Sequence, residues 1–233
     1  MQAVILAAGL GSRLGDIKKN LPKGFLYMES LQETLIERSL RLLKEVGIQE
    51  VIIGTGYENK AYDALADRLS AKDFKIITHK NEKFATTGSA YTLWCLRELI
   101  TQDFLLLESD LVYEPLAIKA LLQDERKDLV LASGTTRSGD EVYMSIVQNK
   151  LQNLSKDKTK LDSIDGELVG ISKISLQSFA KLDCHSQNDY EYLLKGFDVL
   201  KIDNLIWCEI DCLEHLERAK KLIIPKILKK DSQ

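Results

Sequence analysis

Long apolar runs are missing from this chain of 233 residues. None approaches the ~18–20 residues that a membrane-spanning helix requires, so no membrane partner is expected. An excess of one charge is missing too. With 32 Lys and Arg against 35 Asp and Glu, the net charge is −3, which gives no sequence-wide attraction to nucleic acid or an anionic membrane. Proline is scarce, at 3 residues. No Pro/Ser/Gly linker, internal repeat or low-complexity stretch breaks the chain, so a single domain over residues 1–233 is expected. The 4 cysteines, Cys95, Cys184, Cys208 and Cys212, are scattered. Cys208 and Cys212 have no second pair or nearby histidine at metal spacing, which gives no support for zinc. Free thiols in a reducing cytoplasm are expected. The 3 histidines, His79, His185 and His215, have no Ser, Cys or Asp at useful spacing, and no nucleophilic triad is read. No basic region precedes the first apolar run, so no signal peptide is expected.

What is present is concentrated near the start. Gln2 to Ala7 (QAVILA) is a short apolar run that leads into Ala8-Gly9-Leu10-Gly11-Ser12-Arg13-Leu14-Gly15. Such a run, bounded by glycines, predicts a buried strand. Glycines just past its carboxyl end let backbone N–H groups approach a polyanion, because no Cβ intervenes. Ser12, Arg13 and, after Pro22, Lys23 add donors and two positive charges. A phosphate cradle at the ligand-binding edge of an open α/β sheet is expected; a merely tight turn would need no charged groups. Two common glycine loops fail here. The dinucleotide pattern from Gly9 meets Leu14 where it needs glycine, and the P-loop pattern fails at Leu14 from Gly9 and at Asp16 from Gly11.

Downstream, strand-like and helix-like stretches alternate. Helices are predicted over Thr34–Val46, Glu58–Leu69, Ala90–Leu99 and Pro115–Leu122, and buried strands over Glu50–Gly54, Phe74–Thr78, Asp103–Leu107 and Asp128–Ala132. Ser89 is expected to cap the third helix. The alternation predicts an α/β, Rossmann-like fold: a mostly parallel central sheet with helices on both faces. Beyond Ser133 the pattern changes. A hairpin (Val142–Gln148 with Lys150–Ser155) and a strand over Gly166–Ile174 are predicted, then helical stretches over Ser175–Leu182 and Asp189–Lys195. Short strands over Val199–Ile202 and Leu205–Ile210, a helix Leu213–Leu228 interrupted by Pro225, and a frayed tail Lys229–Gln233 complete the chain. These segments are expected to add small antiparallel pieces over the cleft.

Several side chains stand where chemistry is possible. Asp110 follows the fourth strand at the edge that carries the glycine loop, where a carboxylate can hold Mg²⁺ against triphosphate oxygens; a helix cap is the plainer alternative. Glu209 and Asp211 alternate onto one side of a late strand, and Asp211 could equally cap the last helix. Thr87-Gly88-Ser89 opens a helix whose N–H groups suit an anion or base edge, or it is a simple cap. Asp140, Glu141, Tyr143, Lys156 and Glu167 lie in the irregular second half. Acidic groups beside an aromatic suit a small ammonium, and a lysine suits an anionic phosphorus group. Each taken singly suits a solvated surface charge.

Leu6, Ala7, Ala8, Gly9, Gly11, Ser12, Arg13, Leu14, Pro22 and Lys23 together resemble the signature of the sugar-phosphate nucleotidyltransferases, L-A-A-G-x-G-(S/T)-R-(L/M)…P-K. That resemblance implies the nucleotide-diphospho-sugar transferase fold. It implies that Leu6 to Arg13 hold base and phosphates with help from Thr87, Gly88 and Ser89. Lys23, Arg13 and Asp110 would be catalytic, and Asp110 and Asp211 would hold Mg²⁺. Within the family, the stretches Ser138-Gly139-Asp140-Glu141-Val142-Tyr143, Leu154-Ser155-Lys156, Gly166-Glu167-Leu168-Val169-Gly170 and Glu209-Ile210-Asp211 resemble the cytidylyltransferases of small aminoalkyl phosphorus compounds, most narrowly those acting on 2-aminoethylphosphonate. The partners so implied are CTP and a small aminoalkyl phosphonate or phosphate, with room for a homodimer. Residues 1–135 would be the nucleotide-binding half. Residues 136–233 would complete the metal site and bind the acceptor through Asp140, Glu141, Tyr143, Lys156, Glu167 and Glu209. Phosphocholine and phosphoethanolamine are the alternative acceptors. A non-catalytic nucleotide-binding regulatory domain is the alternative of another class, disfavoured by the presence of Arg13, Lys23, Asp110 and Asp211.

Overall fold

The computed structural model describes every residue except Lys19, Ser186, Gln187, Ser232 and Gln233. The strands are β1 (Gln2–Ala7), β2 (Tyr27–Met28), β3 (Glu33–Thr34), β4 (Glu50–Thr55), β5 (Lys75–Lys80), β6 (Phe104–Glu108), β7 (Leu111–Tyr113), β8 (Leu129–Ser133), β9 (Tyr143–Val147), β10 (Lys150–Ser155), β11 (Gly166–Ile174), β12 (Asp198–Ile202) and β13 (Trp207–Glu209). The α-helices are α1 (Leu35–Glu45), α2 (Asn59–Leu69), α3 (Ser89–Cys95), α4 (Leu116–Gln123), α5 (Leu176–Phe179), α6 (Leu213–Arg218) and α7 (Ile224–Asp231). Among the described residues no helix is long and apolar enough to cross a membrane.

A nine-stranded sheet in the order β5-β4-β1-β6-β11-β8-β12-β10-β9 forms the centre. β5, β4, β1 and β6 run parallel. β1 lies between them, so the chain leaves it toward neighbours on both sides, the place where open sheets bind ligands. Both faces of β1 are covered. Ala3, Ile5 and Ala7 pack with side chains of α1, α2 and α4, whereas Val4 and Leu6 pack with α3, α5 and the Tyr190–Leu194 turn. That is the two-residue period of a strand buried on both sides. α1 starts at a capping box, with the Thr34 side chain accepting from the Glu37 N–H and Glu37 accepting from the Thr34 N–H.

The predicted α/β architecture is present, with three differences in the second half. β11 runs antiparallel inside the central sheet, between β6 and β8, and β12 pairs in parallel with β8. The second half therefore completes the sheet itself. The last helix contains a π-helical turn, Ala219–Ile223, just ahead of Pro225. A proline there has no N–H to donate and crowds the carbonyl four residues back, so the helix widens instead of ending. Helix continues through Asp231 where fraying was expected; Ser232 and Gln233 of that tail lie outside the described residues.

Two long-range devices shape the sheet edge at the end of β1. β7 and β13 pair antiparallel, and the Ile210 N–H donates to the Asp110 carbonyl at 3.0 Å. Residues a hundred positions apart in sequence are thereby joined. The Lys23–Phe25 turn packs equally close: a Cβ on Gly24 would stand 2.9 Å from the Tyr62 hydroxyl and 3.2 Å from the Ser109 carbonyl oxygen. Only glycine lets Lys23 come this near the end of β6. Gly24→Ala should overpack this contact by about 1–3 kcal/mol. For a chain of this size that lowers the melting temperature by roughly 2–12 °C, measurable by thermal unfolding.

Candidate active site

A cleft of about 360 Å³ opens where β1, β6 and β13 end and β7 begins. Leu6, Ala7, Ala8, Gly9, Arg13, Lys23, Thr87, Gly88, Ser89, Asp110, Lys156, Glu209 and Asp211 all line it. The glycine loop and Thr87–Ser89 thus face one cavity. A Cβ on Gly9 would meet no protein atom within 4 Å and would project into open space. Gly11 and Ser12 belong to the loop but are not among the lining residues. Gly11 supports the turn with a φ of +60°, a conformation that favours glycine.

Charges across the cleft alternate in one continuous chain. Lys23 Nζ donates to Asp110 Oδ2 at 2.8 Å and also to Asp211. Arg13 Nη2 stands 2.8 Å from Asp211 Oδ2, and Arg13 Nη1 donates to Asp140 Oδ2 at 2.7 Å. Lys156 Nζ donates to the other oxygen of Asp140, also at 2.7 Å. Burial works against the Lys23 charge, but the two carboxylates outweigh it and raise its pKa. Burial likewise opposes the Asp211 carboxylate. Hydrogen bonding from Glu209 and the charges of Lys23 and Arg13 nevertheless hold its pKa well below the usual range.

Neither aspartate caps a helix. Asp110 sits in the turn between β6 and β7, and the residue before α6 is Cys212, which makes no side-chain cap. Ser89 does not cap α3 either, because Gly88 takes that position. The Ser89 hydroxyl instead accepts from the Tyr190 N–H at 2.8 Å and so ties the start of α3 to the Tyr190 turn.

A second electrostatic feature was not anticipated. Glu108 and Glu191 also line the cleft, beside Tyr190 and Glu209. Burial raises the Glu108 pKa, and the nearby charges of Asp110 and Glu191 raise it further. Burial raises Glu209 in the same way, with Asp110 and Glu108 adding to it. Burial brings Glu191 to about 7. Among the described residues, no lysine, arginine or histidine forms an ion pair with any of the three. Carboxylate oxygens of Glu108, Asp110 and Glu209 lie within 4.8 Å of one another. The signal for Glu108 lay in the sequence: Glu108-Ser109-Asp110 repeats the Glu-x-Asp spacing of Glu209-Ile210-Asp211, and the β7–β13 pairing sets the two side by side. Nothing in the sequence pointed to Glu191, which comes from a 3₁₀ turn after a loop.

The rest of the expected acceptor group does not line this cleft. Glu167 accepts from the Thr136 N–H and hydroxyl, and with Asp140 it borders a neighbouring cavity of about 20 Å³. Burial brings its carboxyl to about 7. Glu141 accepts from the Gly139 N–H at 3.2 Å. The Tyr143 ring already carries a cation, with Lys158 Nζ 4.5 Å from its centroid. These side chains are occupied by neighbouring segments.

Residues 3–220 match the MobA-like NTP transferase domain. The chain is similar to CTP:phosphoglutamine cytidylyltransferase of Campylobacter jejuni, 24% identical over 257 residues that cover 93% of this chain and 98% of that protein. It is similar over 137 residues, at 34% identity, to CMP-5'-(3-aminopropyl)phosphonate synthase of Streptomyces rubellomurinus, a match of 59% of this chain and 21% of that longer protein. The inositol-1-phosphate CTP transferase of T. maritima shares the fold, with a TM-score of 0.81 at 17% identity over 100% of this chain and 96% of the other.

The chain of charges makes Lys23 and Asp110 the groups to remove. Lys23→Ala and Asp110→Ala should each lower pyrophosphate release from a nucleoside triphosphate by at least ~10²–10³-fold, the usual loss of a charge-stabilising group. Circular dichroism should show an intact fold, and wild-type release rates would exclude the residue from the chemistry.

Proposed function

The chain belongs to the MobA-like NTP transferase family, and on that premise we propose that it transfers CMP from CTP to 2-aminoethylphosphonate, releasing pyrophosphate. The observation that carries the acceptor is the trio Glu108, Glu191 and Glu209: half-buried carboxyls that line the cleft, none of which forms an ion pair among the described residues. A primary ammonium brings one positive charge and three N–H donors, which answers such a trio. The three methyl groups of phosphocholine would leave the carboxylates without donors, and a site built for hydrogen bonds rejects an analogue that lacks them. This moves the ammonium from Glu141, Glu167 and Tyr143 to the floor of the cleft. A relative named for CTP and phosphoglutamine and another named as a synthase of CMP-5'-(3-aminopropyl)phosphonate support the reaction class.

In this reading the loop from Leu6 to Arg13 and Thr87–Ser89 receive the nucleotide, and Lys156 receives the phosphonate. Asp110 and Asp211 fit a divalent cation. They are hard oxygen donors that already share one cation, the Lys23 ammonium, and Mg²⁺ favours one or two carboxylates plus phosphate oxygens. The chemistry that Mg²⁺ supplies there is neutralisation of triphosphate charge. Lys23 and Arg13 then turn from carboxylates to phosphates. A phosphonate oxygen attacks the α-phosphorus in line and pyrophosphate departs. The nucleophile is already an anion, so no protein base is needed, and positioning and charge neutralisation do the work.

The direct test supplies CTP or UTP, Mg²⁺ and, in turn, 2-aminoethylphosphonate, phosphoethanolamine and phosphocholine, with pyrophosphate as readout. Release is expected with CTP and the phosphonate. Silence with every amine would end the catalytic reading, and release with phosphocholine alone would end the phosphonate one. A pH profile tests the ammonium pocket. Glu191 must be ionised to receive the amine, and with its carboxyl at about 7 kcat/KM should fall as pH drops through 7, approaching tenfold per unit. Glu191→Gln should flatten that limb down to the titration of the phosphonate itself.

A further inference from the structure

Asp140 does not line the cleft, yet Arg13 and Lys156 do, and each donates to one of its two carboxylate oxygens at 2.7 Å. We propose that Asp140 is a positioning residue: an anchor behind two cations that holds one toward the nucleotide's phosphates and the other toward the acceptor's anionic group. This rests on the nucleotidyl-transfer reading above.

Three observations carry it. First, the Arg13 side chain is 55% exposed and that of Lys156 53%, against 21% for Asp140. Long side chains this exposed would sample many rotamers without a partner, and ordering each on binding costs affinity. Second, the anchor is itself fixed. Asp140 lies on a loop whose Thr136 N–H and hydroxyl donate to buried Glu167, and whose Thr136 carbonyl accepts from Arg218 at 2.8 Å. Third, the two ends of the Arg13 fork have different partners. Nη1 is on Asp140 and Nη2 is near Asp211. Were Asp211 to hold a metal ion, Nη2 would be free for phosphate while Nη1 stayed on Asp140. Lys156 keeps two of its three N–H donors for the acceptor. Arg13, Asp140 and Lys156 come from separate segments, so this one carboxylate joins the glycine loop to the acceptor half.

The test is a pair of double-mutant cycles. Binding of α,β-methylene-CTP, which cannot react, reports the Arg13 arm, and the KM for 2-aminoethylphosphonate reports the Lys156 arm. Asp140→Asn should weaken nucleotide binding and raise the acceptor KM, each by about tenfold, the cost of ordering a long side chain at the moment of binding. The first effect should shrink below about twofold in an Arg13→Met background and the second in a Lys156→Met background, as expected for a residue that acts through its partners. Asp140→Ser through the same cycles guards against an effect peculiar to the amide. Nucleotide binding by Asp140→Asn that equals or exceeds wild type would overturn the proposal, because Asp140 would then be idle or a competitor for Arg13. So would an equal loss in the Arg13→Met background, the mark of a general structural role. If wild type binds the nucleotide but uses no aminophosphonate, the acceptor assignment fails while the nucleotide arm still decides the role of Asp140. If wild type binds no nucleotide, the proposed function fails first.

Discussion

The Lys23 ammonium between Asp110 and Asp211 is the interaction on which the rest of the cleft depends. It joins the first twenty-odd residues to the end of β6 and to the segment after β13. Both aspartates are buried, and the ammonium answers the charge of each. Both line the same cavity as the glycine loop. A buried ion pair adds little net stability, because desolvation offsets most of the attraction. What it does bring about is a gathering of side chains: Lys23, Arg13, Asp110 and Asp211 stand within ion-pair distance at one spot.

The cleft is divided electrostatically. Toward the glycine loop and the second half, cations and carboxylates alternate from Asp110 to Lys156 and balance one another. Toward Tyr190, Glu108, Glu191 and Glu209 form no ion pair among the described residues, and burial pushes their pKa values up. A balanced region can exchange partners with an incoming polyanion and metal at small cost. An unbalanced acidic region attracts a cation. The proposed function assigns the first region to the triphosphate and the second to the ammonium of the acceptor.

Packing serves this division. Gly24 brings Lys23 against Tyr62 and the backbone of Ser109, and the short β7–β13 ladder sets two Glu-x-Asp segments side by side. Neither contact is large. Each helps to place a charged side chain at the cleft, and charge stabilisation of a transition state depends on such placement.

The strand β1, the glycine loop, Pro22-Lys23 and the alternation of strands and helices through Ala132 were legible in the sequence, because each is written locally, in a two-residue or helical period or in glycines next to charges. Asp110 and Asp211 were legible as single groups at strand ends. Their convergence on one ammonium was not, since it depends on an antiparallel pairing between segments a hundred residues apart. For the same reason β11 could be recognised as a strand, but its place between β6 and β8 could not. The acceptor side shows the difference most clearly. Glu141, Tyr143 and Glu167 had the residue types for an ammonium pocket, but neighbouring segments satisfy them with Thr136, Gly139 and Lys158. Glu108 and Glu191 carry the same chemistry into the cleft itself. Residue type states what a side chain can bind. Only the fold decides which carboxylates are occupied by neighbouring side chains and which line the cleft without an ion pair.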